Sequence, residues 1–256
     1  MSENRRGFLA RAGASAATLL LAGCTPLSEQ KWVQDMLAQV EILTLRAQRL
    51  FAGTHALAPE FSKKDIAPVF RANGTLNPDT PTYNESAAKG FADWRIVVDG
   101  LVERPLSLSL AALRAMPSQT QITRHDCVEG WSCIGEWTGT PLRLVLASAR
   151  PKPQARYVVF YCADNMAEPG DPPQFYYESL DLLEATHPQT LLAYELNGQT
   201  LAIEHGAPVR LRAERQLGYK QAKYIQRIQI VDDFRRINGG RGGYWEDQGY
   251  SWYGGI

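Results

Sequence analysis

Cysteine is scarce in this chain: four in 256 residues, too few for the disulfide framework of a small secreted domain. No sign of charge dominates, with 27 Lys+Arg against 27 Asp+Glu. Neither nucleic acid nor a broadly anionic surface is therefore favoured as a partner. No apolar run reaches the roughly 20 residues that cross a bilayer as a helix. The sequence carries no G-x-G-x-x-G, Walker, G-x-S-x-G or H-E-x-x-H signature and no haem-attaching C-x-x-C-H. Each missing motif removes its own class of dinucleotide, nucleoside triphosphate, serine hydrolase, zinc protease or c-type haem chemistry. Internal repeats and low-complexity tracts are also missing.

What remains is an ordinary globular composition, 45% hydrophobic and 21% charged with 21 Gly and 15 Pro. It excludes a disordered tail protein, a collagen-like chain and a polytopic membrane protein. The length allows one large domain or two small ones, each able to bury a core.

The first residues do not belong to that core. Arg5-Arg6 precedes Phe8-Leu9, and residues 12–22 are apolar and rich in small side chains. A charged start, a short apolar stretch and a small-residue exit make a signal peptide. The paired arginines resemble a twin-arginine signal, against an ordinary secretory signal that happens to carry Arg-Arg. Leu21-Ala22-Gly23-Cys24 resembles a bacterial lipobox, against simple cleavage near Gly23 with Cys24 left as a plain thiol. The expected organisation is a signal at residues 1–23, a helix and linker at 24–58, and an enzyme domain at 59–256. The expected location is the periplasmic side of the membrane, anchored through lipidated Cys24. Cys127, Cys133 and Cys162 would then remain, an odd number that leaves at least one thiol free or bound to something.

Apolar steps of three and four from Val33 to Phe51 predict an amphipathic helix over 31–52, stopped by Gly53. It either packs on the domain or serves as a docking helix or spacer. Residues 59–90 are loop-rich, with Pro68, Asn73-Gly74, Asn77-Pro78 and Pro81 as breakers. Strands are predicted at 94–98, 120–127, 157–162, 191–196, 200–203, 209–213 and 224–231, and short helices at 108–116 and 143–149. Asn197-Gly198 marks a hairpin. The pattern reads as α+β with mixed β-sheets. His187, before Pro188, is expected to cap a helix-to-strand turn. The Gly- and aromatic-rich tail from Asn238 is expected to be ordered, covering the domain or docking an electron carrier.

The most informative segment is Arg124-His125-Asp126-Cys127-Val128-Glu129-Gly130-Trp131-Ser132-Cys133. A thiolate at a strand end near Arg and His suits a transition metal or a reactive thiol. A zinc site from His125, Cys127 and Cys133 has the wrong spacing for C-x-x-C pairs. A disulfide from Cys127 to Cys133 or Cys162 is the remaining alternative.

The ordered motifs decide among these readings. Arg-x-x-Cys-x-Glu-Gly-Trp leads into Trp137-Thr138-Gly139-Thr140-Pro141-Leu142. Around it stand Asp99-Gly100-Leu101-Val102-Glu103-Arg104-Pro105, Ala185-Thr186-His187-Pro188-Gln189-Thr190-Leu191, His205-Gly206-Ala207-Pro208-Val209-Arg210 and Gly218-Tyr219-Lys220-Gln221-Ala222-Lys223-Tyr224. Over most of residues 60–235 this resembles the sulfite oxidase superfamily of molybdopterin enzymes, in particular the periplasmic methionine sulfoxide reductase catalytic subunit type.

The resemblance implies a sulfite-oxidase-type fold without a C-terminal immunoglobulin-like domain, and one molybdenum-molybdopterin. Cys127 would be the single thiolate on the metal. Arg210 and Lys223 would hold the pterin phosphate, with help from Lys220 and from the backbone N–H groups of Gln221 and Ala222. Asn73 matches an upstream cofactor contact. Cys162 falls where this branch has a Thr facing the cofactor, against plain packing in a buried strand. His205 stands where the branch shows Asn. Arg124 would be the substrate-facing catalytic cation, against an ion pair to Asp126 or Glu129. Cys133 is read as structural. The implied function is oxygen-atom transfer at molybdenum by an exported monomer, reducing an S-oxide or N-oxide with electrons from a membrane cytochrome. Oxidation of a small anion such as sulfite, or a non-catalytic lipoprotein that keeps the fold, are the alternatives.

Overall fold

The computed structural model describes residues 30–51, 53 and 55–256; the expected export signal at residues 1–23 and Cys24 lie outside them. Two compact units divide at Ala52/Gly53. In the first, helix α1 (Lys31–Phe51) runs 21 residues, close to the span its apolar periodicity predicts. Gly53, at φ 85°, follows it in the left-handed conformation common after helix ends.

The second unit holds two β-sheets. One contains β1 (Arg95–Gly100), β2 (Leu106–Ser109), β5 (Tyr157–Asn165), β6 (Phe175–Asp181) and β10 (Ile225–Val231), in the order β2-β1-β10-β5-β6. It is mixed: β1 runs parallel to β10, and the other pairs are antiparallel. The other sheet is antiparallel throughout, with β3 (Gln119–Asp126), β4 (Ser132–Pro141), β7 (Leu191–Leu196) and β8 (Gln199–Thr200) in sequence and β9 (Arg210–Arg212) paired to Leu191–Ala193 of β7, on the edge that β7 also offers to β8.

Local sequence explains the elements. Ile96 and Val98 of β1 alternate inward and are fully buried, while Arg95 faces out. β5 is apolar on both sides because each face is covered: Val158 and Phe160 point into the core, and Tyr157 on the other face packs against Phe234 and Trp252. Two short helices, α3 (Leu110–Arg114) and α4 (Leu142–Ala149), add Leu113, Val145 and Leu146 to the core around Val158, Phe160, Ile228 and Ile230. Emptying a position such as Phe160 would cost about 3–5 kcal/mol. Gly100 is required where it stands, since a Cβ would sit 2.2 Å from the Ile230 carbonyl oxygen at a φ of 86°.

The hairpin at Asn197-Gly198 forms with both residues at positive φ, 53° and 73°, as a type I′ turn demands. Its second strand stops at Thr200 rather than Ile203, because Ile203–His205 winds into a 3-10 turn. Three further departures from the sequence reading have physical causes. The loop-rich 59–90 stretch contains helix α2 (Pro81–Ala88), in which Pro81 occupies the first turn, where its missing N–H costs nothing. Residues 132–141 form one continuous strand, β4, paired over its length with β3. β6 was concealed by flanking Pro and Gly, yet most of it is buried. The tail beyond Asn238 is ordered and contains α6 (Tyr244–Asp247), after α5 (Leu182–Ala185) earlier in the chain.

Candidate cofactor site

The site begins on β9. Two-residue periodicity puts Arg210 and Arg212 on one face, 1% and 0% exposed, and sends Leu211 into the core from the other. Both guanidiniums lie against the buried Trp137 ring of β4, with Cζ 5.0 and 4.3 Å from its centroid. Phe70 meets that ring edge-on at 5.1 Å and also faces His125 and His205.

The two arginines differ in their partners. Arg212 is neutralised by Glu214, with Nε donating to Oε1 at 3.0 Å and a second bond closing the fork at 2.5 Å. It also reaches His125 Nδ1 at 3.0 Å. Arg210 donates only to the carbonyls of His205 (3.1 Å) and Gln221 (3.5 Å), and its Nε has no partner. Lys223 donates to the carbonyls of Asn73 (2.8 Å), Glu204 (3.1 Å) and Thr75. Among the described residues neither Arg210 nor Lys223 forms an ion pair. Burial, then the neighbouring Arg212, pulls the Arg210 guanidinium down to about 9. Burial, then Arg210, pulls Lys223 down to about 7.

Arg210 and Lys223 line a cavity with Asn73, Gly74, Thr75, Asp164, Met166, Tyr176, Gly218, Tyr219, Gln221 and Trp245. Its volume is about 60 Å³, several times the roughly 10–15 Å³ that holds one water. That is room for a compact anionic group; a larger ligand extends beyond it. Gly206 supplies the approach from behind, since a Cβ there would sit 2.9 Å from Lys223 Cγ and 3.1 Å from Arg210 Cβ. Asp164 Oδ1 and His205 Nδ1 are buried without partners. Burial raises Asp164 to about 6 and lowers His205, so the imidazole is neutral at pH 7.

Cys127 stands at the turn from β3 to β4. Its N–H donates to the Trp131 carbonyl (2.9 Å), and its carbonyl accepts from Gly130 (3.0 Å), so the five-residue loop 127–131 is closed at both ends. Gly218, in the cavity wall, abuts His125 and the Asp126 carbonyl, directly before Cys127. The thiol is half-buried and free; burial raises its pKa, and Arg71 works in the opposite direction. Arg71 also lies 4.8 Å over the Trp131 ring, and Trp131 Nε1 donates to Glu129 at 2.9 Å.

The structure thus brings Asn73, Arg210, Gln221 and Lys223 to one cavity. The Gln221 N–H is taken by the Gly218 carbonyl at 3.1 Å. Ala222 is buried beside the cavity, and its carbonyl accepts from Leu211 at 2.7 Å. His205 reaches the site through its carbonyl, held by Arg210. Cys162 lies in the hydrophobic core opposite Ile225, outside the cavity wall; burial raises its pKa strongly, so it is a thiol. Arg124 is exposed, on the opposite face of β3 from His125, and pairs with Asp126 at 2.9 Å. Lys220 does not join the phosphate clamp. It turns away into a buried pair with Glu178 and Glu246. Cys133 packs in a small cluster with Phe70 and Trp137, and all three described cysteines are free. His187 closes its turn as expected, its Nδ1 accepting from the Gln189 N–H at 3.3 Å, while its Nε2 lies 3.2 Å from the Ala56 carbonyl and ties the linker down. Sequence reasoning missed Thr75, Asp164, Tyr176 and Trp245. Only Trp245 carried a signal, the aromatic density of the tail.

Two buried cations that form no ion pair, a glycine cradle, orphaned polar atoms and a nearby thiol form a donor set suited to a phosphate-bearing cofactor that takes one protein sulfur. Comparison with known proteins agrees. The family model described as "Oxidoreductase molybdopterin binding domain" matches residues 82–236. The chain belongs to that family, and is a molybdopterin-dependent oxidoreductase of the sulfite oxidase superfamily.

Several known proteins are similar to it. "Putative protein-methionine-sulfoxide reductase subunit YedZ1" of Azospira oryzae is 36% identical over 251 residues, 98% of this chain and 87% of its own. "Protein-methionine-sulfoxide reductase catalytic subunit MsrP" of Ralstonia nicotianae is 41% identical over 54% of this chain and 44% of its own. MsrP of Gluconobacter oxydans is 39% identical over 54% and 47%. The matches thus take in less than half the length of these two catalytic subunits. The sulfane dehydrogenase SoxCD of Paracoccus pantotrophus shares the fold, with a TM-score of 0.53 and 23% identity over 70% of this chain and 46% of that one.

Proposed function

We propose that this protein is an exported reductase of S-oxides, with methionine sulfoxide in proteins as its substrate class, drawing electrons from a membrane cytochrome. The observation that carries the cofactor reading is the buried Arg210–Lys223 pair, neither member of which forms an ion pair among the described residues. The substrate class is supported by the names of the relatives. Export is supported by Arg5-Arg6, and anchoring by the Leu21–Cys24 segment.

The reaction balances as a sulfoxide taking up two electrons and two protons and leaving as a sulfide and water. Bound molybdopterin supplies two-electron oxygen-atom chemistry. The protein supplies the rest. Arg210 and Lys223 would hold the phosphate, with Arg210 able to present two N–H groups to it. Asn73 and Gln221 border the same cavity. Cys127 would give sulfur to the metal, shedding its proton on binding. Trp137 backs the Arg210 guanidinium with a buried ring, with Phe70 packed between it and neutral His125, and this apolar backing strengthens the charge interactions beside it. The test is to purify the protein from a host that makes molybdopterin and measure molybdenum, pterin, and turnover of methionine sulfoxide and of sulfite with artificial redox partners. Stoichiometric cofactor with sulfoxide reduction is expected. Cofactor with sulfite oxidation alone would overturn the substrate class, and the absence of cofactor would overturn the site.

A further inference from the structure

The family match ends at residue 236, yet the residues beyond it are fastened to the loop that carries the cofactor side chains. Leu217 N–H donates to the Gly254 carbonyl (2.7 Å) and Ile256 N–H to the Arg215 carbonyl (3.1 Å). Tyr219 Oη donates to the Ser251 carbonyl (2.7 Å), and Gly254 N–H donates to Gln216 Oε1 (3.1 Å). Gly254 packs so closely that a Cβ would meet Tyr219 Oη at 2.7 Å and Lys220 Cγ at 3.2 Å. The anchor is Lys220, 1% exposed, whose Nζ binds Glu178 of β6 and, at 2.6 Å, Glu246 of α6. Trp245, beside Glu246, lines the cavity. Gln221 and Lys223 follow Lys220 directly and face that cavity from the same loop.

Burying an ammonium between two carboxylates is a poor way to gain stability, because apolar side chains of similar volume commonly do better. Such a triad is better suited to fixing geometry. We propose that residues 238–256 form a clasp that locks the 215–223 loop over the bound cofactor, with Glu246 and Glu178 acting through Lys220 as positioning residues for Gln221 and Lys223. The inference rests on the cofactor reading of the cavity, and it assigns the clasp to retention of the cofactor rather than to chemistry.

The test compares three variants of the loaded enzyme with wild type. Glu246→Ala leaves Lys220 its Glu178 partner, so the buried charge stays compensated while the tail loses its tie to Lys220. Gly254→Ala wedges tail from loop without altering any charge. Glu246→Gln keeps an acceptor oxygen at the same place. Pterin remaining on the protein is followed over time after dilution, beside the melting temperatures of loaded and cofactor-free forms. Glu246→Ala and Gly254→Ala are expected to release pterin at least tenfold faster and to narrow the gap between the two melting temperatures. Glu246→Gln should restore retention to near the wild-type rate. Wild-type release rates in both Glu246→Ala and Gly254→Ala, or equal melting losses in both forms with release unchanged, would reduce the tail to packing and overturn the clasp. A wild-type protein that carries no pterin would overturn the cofactor reading and the clasp together.

Discussion

Replacing Arg210 with Met tests the site at its most exposed assumption, that a buried cation is kept uncompensated for an anion to come. Burial, then the neighbouring Arg212, pushes the guanidinium down to about 9, which marks an environment unfavourable to the charge while no anion is bound. A charge-assisted hydrogen bond contributes about 1.5–3 kcal/mol, and the fork can make two to a phosphate. Arg210→Met should therefore weaken cofactor binding by about 3–6 kcal/mol, which is roughly a hundredfold to ten-thousandfold. The cofactor-free protein should not suffer. Met keeps the apolar stem against Trp137, and removing the unpaired charge offsets the bonds lost to the carbonyls of His205 and Gln221. Its melting temperature should stay level or rise, each 1 kcal/mol being visible as about 2–4 °C at this size. The assay is pterin and molybdenum per protein after exhaustive dialysis, with melting of the cofactor-free form alongside. Full cofactor content in Arg210→Met, or a collapse of the cofactor-free fold, would refute the reasoning.

The other predictions probe the remaining parts of the site. Cys127→Ser should keep pterin, because the phosphate cations are separate, but it should change the metal's electronic spectrum and abolish most turnover; an unchanged spectrum with full activity would remove Cys127 from the metal. Lys223 gives a pH signature: the folded cofactor-free protein sheds this proton near pH 7, whereas the unfolded chain keeps it to about 10.5. The unfolded state binds more protons across that window, so this group makes stability rise with pH from 7 to 10.5, and denaturant titrations of Lys223→Met should lose that component. Phosphate needs the charged form, so cofactor retention should fall as pH climbs above 7 in wild type and stay flat in Lys223→Met up to about pH 9, where Arg210 titrates. Arg5→Lys with Arg6→Lys should leave the precursor in the cytoplasm, and Cys24→Ala should release a soluble mature protein; cell fractionation reads both, and normal export of the double Lys variant would defeat the twin-arginine reading.

Much of the fold was legible where one face of an element is buried, because burial then writes a period into the sequence. β1 and β3 show it, β5 was legible instead as a continuous apolar run because both its faces are buried, and Asn197-Gly198 fixed its turn through the left-handed φ that few other residues adopt. α2 and β6 were not legible. Pro81 opens a helix with the same residue that elsewhere breaks one, and β6 lies next to Pro172-Pro173, which reads locally as loop. In the site, the cluster of Asn73, Arg210, Gln221 and Lys223 was reached through the family resemblance and then assembled by the fold. Lys220 shows why that route has limits. Its neighbours in sequence face the cavity, but a 3-10 turn at Gly218–Lys220 directs its own side chain the other way, toward two carboxylates brought from β6 and the tail. No local pattern reveals a partner 42 residues before it and another 26 after it.

Arg210 and Arg212 make the strongest internal comparison. They stand two residues apart on the same face of one short strand, over the same tryptophan, and both are buried. One is closed by a carboxylate fork from Glu214 and an imidazole from His125. The other is left with two carbonyls and an orphaned Nε. The fold evidently has the means to neutralise a buried arginine at this place, since it does so one step along the strand. Leaving Arg210 and Lys223 open, side by side, costs stability that a purely structural cluster would have no reason to forgo. The missing ion-pair partner is thus a property of the site that a bound anion would supply, and the loop that presents Lys223 is the one the tail holds in place.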